Sequence, residues 1–196
     1  MVEYAWAELM RAWNAELLAD AQIREMLEPD VIASGWLGFP GASEAEIQAA
    51  DARLGVKLPD SYRHFLQYSN GWRWITPFIE QLWSTSEVER YATRHPDLIH
   101  AWRLGASQYP NPRVSDERYL VYGADQDPID VRDEYLDAAI EVSDVADGVL
   151  LLNPEVVSDN GECEAWFFAA WLPGARRYRS FWDLMVGEHQ AYVGLR

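Results

Sequence analysis

Apolar residues recur at helical spacing near the start of the chain, over residues 3–28. The spacing predicts one amphipathic helix that ends at Pro29, because proline cannot continue the hydrogen-bonding pattern. A turn-rich linker follows over residues 34–41. We therefore predict an N-terminal helix and linker over residues 1–40 and a main domain over residues 41–196, together forming one compact unit. The apolar positions of the helix are Trp6, Leu9, Met10, Trp13, Leu17 and Ala21.

The next two helices are predicted from their end signals. Ser43 and Glu46 have capping-box spacing, in which the hydroxyl accepts from the Glu46 amide and the carboxylate reaches back. Gly55 ends this helix as a left-handed residue. Pro59 fits the first turn of the following helix, which breaks at Asn70-Gly71. The inward faces of the two helices carry Ile47, Ala50, Leu54, Tyr62, Phe65, Leu66 and Ser69.

The middle of the chain has shorter patterns. Trp72–Ile75 alternates like a short strand. Ser84 and Glu87 repeat the capping-box spacing and predict a helix that ends before Pro96. A further short helix is predicted over Asp97–Leu104.

The last third of the chain is typical of strands. Glycine-containing turns separate β-branched and aromatic runs. A final helix begins after Ser180 and extends to about Gln190. Helices, then strands, then a closing helix predict an α+β fold with a mostly antiparallel sheet and helices packed on one side. The predicted strands are Arg118–Gly123, Ala139–Val142, Val149–Leu152 and Glu164–Trp171.

Composition narrows the class of protein. The 196 residues are 49% hydrophobic, which is enough for a core and argues against intrinsic disorder. Cys163 is the only cysteine, so an internal disulfide and a multi-cysteine zinc site are excluded. No apolar run approaches the roughly 20 residues of a membrane span, and the first residues lack the pattern of a secretory signal. We expect a cytoplasmic protein with no membrane partner.

Charge is concentrated in one quarter of the chain. The protein has 32 acidic and 16 basic residues, a net charge of −16. Residues 116–164 hold 15 acidic residues and only two arginines, Arg118 and Arg132. This balance argues against direct binding to nucleic acid, which requires clustered basic side chains.

Candidate catalytic and metal-binding patterns are weak. His95 and His100 are five positions apart with Pro96 between them, which predicts solvated histidines and not a metal site. Asp125, Asp127 and Asp130 resemble a calcium loop that lacks its glycine and final glutamate, so a loose divalent site stays an alternative. Two glutamates flank Cys163 and should raise its pKa. We therefore expect no catalytic residue, cofactor or metal, and no enzyme.

The helical half carries Leu54-Gly55, Leu58-Pro59-Asp60, Phe65-Leu66 and Asn70-Gly71 in this order. With this series of motifs it resembles the SUKH superfamily, the Smi/Knr-type domain. The resemblance covers roughly residues 40–190 and is most specific in the first half. It implies a non-enzymatic protein-binding domain, and many bacterial members look like immunity proteins that occlude a cognate toxin, often a nuclease. Regulatory or scaffold proteins that bind an endogenous partner are the alternative. The matching elements, in order, are Ile47, Leu54-Gly55, Leu58-Pro59, Asp60, Tyr62, Phe65-Leu66 and Asn70-Gly71.

An acidic block over residues 125–147 is the predicted docking surface for a basic toxin, because concentrated charge steers association. Aromatic residues nearby could anchor the partner. A solvated face that only keeps the protein soluble is the alternative. The sequence leaves the oligomeric state open. The predicted partner-binding residues are Trp72, Tyr119, Asp125, Asp127, Asp130, Asp133, Glu134, Tyr135 and Asp137.

Overall fold

Three helices form the N-terminal region of the computed structural model, which describes residues 4–108, 112–144, 147–169 and 171–194. They are α1 (Trp6–Ala19), α2 (Ala21–Met26) and α3 (Pro29–Ser34). The prediction of one helix over residues 3–28 is wrong, because the Asp20 carboxylate accepts from the backbone N–H groups of Gln22 and Ile23 and so caps a new helix. Pro29 is the first residue of α3.

The predicted capping box is confirmed at the start of α4 (Glu44–Leu54), with both the Ser43 and Glu46 side chains bonded as expected. Gly55 ends α4 with φ of 68°. Pro59 lies just outside α5 (Asp60–Tyr68), so it precedes the first turn and has no side-chain group to cap the helix.

A two-stranded hairpin follows, made of β1 (Trp72–Thr76) and β2 (Ile79–Leu82). The helix predicted from Ser84 to Pro96 is wrong. Ser84 and Glu87 do form the expected side-chain bond, 2.5 Å between Ser84 Oγ and Glu87 Oε2, but it closes only a turn. The chain then pairs with the sheet as β3 (Glu89–Arg90) and turns into α6 (Tyr91–Arg94).

The main sheet has five antiparallel strands, in the order β3, β4 (Ile140–Glu141), β5 (Val149–Val157), β6 (Cys163–Phe168) and β7 (Ala175–Tyr178). The strand predicted over Arg118–Gly123 is wrong, since this stretch contains the end of the helix α8 (Asp116–Tyr119) and the start of a 3-10 turn. β7 was not predicted, because its sequence Ala-Arg-Arg-Tyr looks too polar for a strand. Its arginines lie over aromatic rings, Arg176 over Phe167 and Arg177 over Tyr119. The remaining elements are α7 (Pro96–Gln108), 3-10 helices at Gly123–Asp125 and Asp133–Asp137, and α9 (Phe181–Gly194).

The predicted α+β fold with an antiparallel sheet is confirmed. The prediction that helices pack on one side is wrong, because the sheet has a core on each face and helices contribute to both. On one face, Leu150, Leu152 and Phe167 contribute to a large cluster shared with α1, α4, α5 and α9. On the other face, Leu151 and Trp166 pack with a smaller cluster that includes residues of α6, α7 and α8. The alternation follows from the two-residue period of a strand. Over the described ranges, no helix is long and apolar enough to cross a membrane.

Candidate partner-binding surface

Two of the predicted aromatic anchors lie in the core. Trp72 is 0% exposed and meets Trp36 edge-on, with ring centroids 4.9 Å apart. Tyr119 is also completely buried, and its hydroxyl donates to Glu164 at 2.6 Å. The structure therefore corrects the prediction for both residues, because neither can touch a partner while the domain is folded. The sequence could not separate an exposed aromatic from a buried one at the end of a turn.

Asp130 and Tyr135 are also mostly buried. The Asp130 carboxylate accepts two bonds from the Arg118 guanidinium, at 2.5 and 3.1 Å. The Tyr135 hydroxyl accepts from Arg113 and Arg132 at 2.9 and 3.0 Å. Asp130 and Tyr135 therefore stabilise the acidic block through internal hydrogen bonds, and they expose little surface that a partner could contact.

The other five predicted residues are exposed carboxylates. Glu134 and Asp137 have basic partners, with Glu134 3.5 Å from Arg113 and Asp137 2.6 Å from Arg103. The pKa of the Asp133 carboxyl is raised, first by partial burial and then by the neighbouring negative charge. The remaining residues of this set are Asp125 and Asp127.

Within the described part of the chain, Asp125, Asp127 and Asp133 have no ion pair with a basic side chain. Asp127 accepts from its own neighbour, the Ile129 N–H, at 3.1 Å. The exposed negative charge of residues 116–164 is thus smaller than the sequence count indicated, because some carboxylates are paired with arginines and others are buried. The buried acidic residues between positions 116 and 164 are Asp130, Glu141, Glu162 and Glu164.

The start of the acidic block is bound to the edge of the sheet. The Gln126 side chain bonds both backbone groups of Arg177, accepting from its N–H and donating to its carbonyl, each at 2.7 Å. The Pro128 carbonyl accepts from the Ala175 N–H at 3.0 Å. Gly174 lies so close to this carbonyl that a Cβ there would collide with it. The segment Gln126–Pro128 therefore covers the outer edge of β7.

A buried carboxylate, Glu164, fixes the sheet beneath this segment. It accepts from the hydroxyls of Tyr119 and Tyr122, at 2.6 and 2.9 Å. The Asn153 amide and the Trp166 indole donate to the same carboxylate, at 2.9 and 2.6 Å. Burial and the Glu164 charge both raise the pKa of the two tyrosines, so they remain protonated donors. With four donors around it, this carboxylate is a structural group.

The weak chemical patterns do not assemble into a reactive centre. Burial, with the Glu162 charge as a smaller cause, raises the pKa of the Cys163 thiol to about 11. His95 is not simply solvated as predicted, since its Nε2 lies 2.6 Å from the buried Glu141 carboxylate. Asp130 is held by Arg118 and does not join Asp127 in a calcium loop. Among the residues described, no group of three or more metal-ligating side chains is present.

A cleft of about 430 Å³ lies between the start of α4 and the end of β2. Two carboxylates line it, Glu46 and Glu87, and both are already bonded to serines. Asn70, from the predicted Asn-Gly turn, also lines the cleft and accepts from the Thr85 N–H at 2.7 Å. These polar groups serve the local structure and leave no reactive pair.

Comparison with known protein families identifies one match. The model of the SMI1 / KNR4 family (SUKH-1) matches residues 41–185, most of the chain. The match begins just before α4 and ends within α9, so it includes the sheet and the acidic block. A search of curated proteins found no match.

Proposed function

The chain belongs to the SMI1/KNR4 family (SUKH-1), and on that premise we propose that it is an immunity protein that neutralises a cognate bacterial toxin by stoichiometric binding. It acts without catalysis, in the cytoplasm of the cell that makes the toxin. The observation that carries the proposal is the set of exposed, unpaired carboxylates at Asp125, Asp127 and Asp133 on a domain of this family.

A basic toxin, such as a nuclease, suits this surface. Nucleases present basic clefts shaped for phosphates, and carboxylates can occupy the same clefts. Long-range attraction between opposite charges raises the association rate and lowers the rate of encounter with wrong partners. When the three carboxylates bind a partner, no existing ion pair with an arginine of the described ranges has to break.

The test is a charge reversal at the exposed carboxylates, with Asp125, Asp127 and Asp133 each changed to Lys. Asp130 is left intact, because it is buried against Arg118 and its loss would disturb folding. The candidate toxin is sought among the products of adjacent genes, and we expect the affinity for it to fall by roughly 10- to 100-fold, mainly through the association rate, with a flatter salt dependence.

A matched control changes three exposed acidic residues elsewhere to Lys: Glu25, Glu155 and Asp159. It alters the net charge by the same amount and should leave most of the affinity intact. Growth rescue of cells that express the toxin provides the functional readout. Equal affinity and equal protection by the triple variant and the parent would contradict the acidic docking surface.

The alternative is a regulatory or scaffold protein that binds an endogenous partner. The same measurements distinguish the two, because an immunity protein must protect cells from the toxin at equimolar expression. Failure of the parent protein to bind or protect against the adjacent toxin would favour the alternative. Turnover of a substrate by the purified chain would contradict both.

A further inference from the structure

Trp171 stands out from the other aromatic residues of the protein. It is 54% exposed, and among the aromatic side chains that the structure describes it is the only exposed one. Its ring is nevertheless held in place. The indole N–H donates to the Asp147 carbonyl at 3.1 Å, and the ring centroid lies 5.3 Å from that of Phe78. A rigid, exposed tryptophan is typical of an interaction hot spot.

The local structure also fixes the position of Phe78. It occupies a two-residue turn between β1 and β2, in which Thr76 pairs with Ile79. The Phe78 N–H donates to the Thr76 hydroxyl at 3.2 Å, and Pro77 restricts the backbone before it. The hairpin also bulges at Trp74, whose φ of 57° is rare for a residue other than glycine. The tip of the hairpin is thereby directed against Trp171.

A cleft of about 290 Å³ opens between this pair of rings and α9. Most of its lining is apolar, including Phe78, Trp171 and Tyr192. Its polar lining is an ion pair in which Arg176 and Glu188 lie 3.1 Å apart. The cleft can thus take the aliphatic part of a long side chain, with a charged group left at the rim.

The rim is acidic. Glu80 follows Phe78 by two residues and is exposed, as is Asp147 beside Trp171. The Glu80 backbone N–H donates to the Asp144 carboxylate at 3.1 Å, which places a third acidic residue next to the hairpin. In the described ranges of the chain, the carboxylates of Glu80 and Asp147 have no salt bridge.

We propose that an aromatic–acidic patch, made of Phe78, Trp171, Glu80 and Asp147, binds an arginine side chain of a basic protein partner. A guanidinium stacks on an indole face and at the same time donates to carboxylates at its edge. The aliphatic stem of the arginine packs on the rings beside the cleft. Charge complementarity thus selects the occupant, because a purely apolar side chain would not use the carboxylates of Glu80 and Asp147 beside the rings.

This patch differs from the docking surface proposed above, and it extends that proposal without depending on it. None of its four residues belongs to the Asp125, Asp127 and Asp133 set. The arginine can belong to the toxin or to an endogenous partner. The test therefore uses a small probe, and its result is independent of whether the chain protects cells from a toxin.

The probe is a capped tetra-arginine peptide, titrated into the ¹⁵N-labelled protein. The matched control peptide contains citrulline, which has nearly the same shape as arginine and no charge. We expect saturable NMR shifts at the Trp171 indole N–H and the Phe78 amide, and none with the citrulline peptide. Changing Glu80 to Gln and Asp147 to Asn should weaken binding at least ~3-fold. Both substitutions are at exposed positions and should leave the fold intact.

A second pair of variants tests the location. Trp171→Ala should abolish the shift at the Phe78 amide, with the thermal midpoint measured to confirm folding. Glu25→Gln with Asp159→Asn removes as much charge at exposed positions outside both proposed surfaces and should leave the peptide affinity at the patch unchanged. Equal weakening by this control pair, or unchanged affinity in Trp171→Ala, would overturn the proposal. Concentration-dependent self-association that Trp171→Ala abolishes, without peptide binding, would assign the patch to a second copy of the chain instead.

Discussion

Removal of the Glu162 carboxylate is expected to lower the free energy of unfolding by about 2–4 kcal/mol. This buried carboxylate accepts from the Ser61 N–H at 2.8 Å and from the Ser61 hydroxyl at 2.5 Å. Ser61 is in the first turn of α5, and Pro59 before it has no side chain able to cap the helix. Glu162 therefore acts as the helix cap from a position 101 residues away along the chain.

The magnitude follows from the bonds that would be lost. A helix cap contributes about 1 kcal/mol, and the negative charge at a helix N-terminus adds to it. The Ser61 hydroxyl would remain buried without its acceptor, which costs about 1–3 kcal/mol. The Tyr4 hydroxyl, which donates to Glu162 at 2.7 Å, is only partly buried and can turn to water, so it adds little.

Urea unfolding of Glu162→Ala measures the effect as a lower midpoint with an unchanged slope. The control is Glu155→Ala, at an exposed position on β5, which should change stability by no more than about 0.5 kcal/mol. In a double-mutant cycle with Ser61→Ala, the two losses should be clearly non-additive. A loss below about 1 kcal/mol for Glu162→Ala, or simple additivity with Ser61→Ala, would refute the long-range cap.

Three further predictions concern the sheet. Gly174→Ala should destabilise the protein by about 1–3 kcal/mol in urea unfolding, because the new Cβ would collide with the Pro128 carbonyl. The control is Gly105→Ala on α7, where the new Cβ meets no other atom, and it should be neutral or stabilising. Equal effects of the two would contradict the close approach. Arg177→Met should lower the free energy of unfolding by about 3–5 kcal/mol, because this fully buried guanidinium lies 3.8 Å from the Glu164 carboxylate. A thermal midpoint equal to that of the parent would contradict this prediction. Cys163, with its pKa raised to about 11, should be mostly protonated at about pH 8, and its alkylation by iodoacetamide should accelerate towards the higher pH. Alkylation in the native protein as fast as in urea would show that burial does not protect the thiol.

The helical half was predictable because its signals are local. The Ser43–Glu46 box and Gly55 each determine a helix end through neighbouring residues, and both were confirmed. The helix predicted from Ser84 is wrong because its signal is also only local. Its side-chain bond to Glu87 also forms, but pairing of Glu89 with β4 redirects the chain after one turn. A local signal cannot report a competing contact that is some 50 residues away.

The docking surface was harder to predict, for a related reason. The acidic count includes residues that are neutralised or buried by distant partners, such as Glu164, which accepts hydrogen bonds from Tyr119, Tyr122 and Asn153. Trp171 was predicted only as the end of a strand, and its exposure depends on β6 ending at Phe168. Exposure and charge pairing are tertiary properties, and composition alone overestimates the charged surface.

The segment Gln126–Pro128 has a consequence for how this protein can associate with others. Free strand edges invite another chain to add a strand, which leads to swapped dimers or fibrils. Here the Ala175 N–H and both backbone groups of Arg177 are already bonded from within the same chain. The opposite edge strand, β3, has only two residues. Strand addition at the β7 edge is therefore disfavoured, and we expect partners to recognise the five-stranded sheet through side chains at its surface.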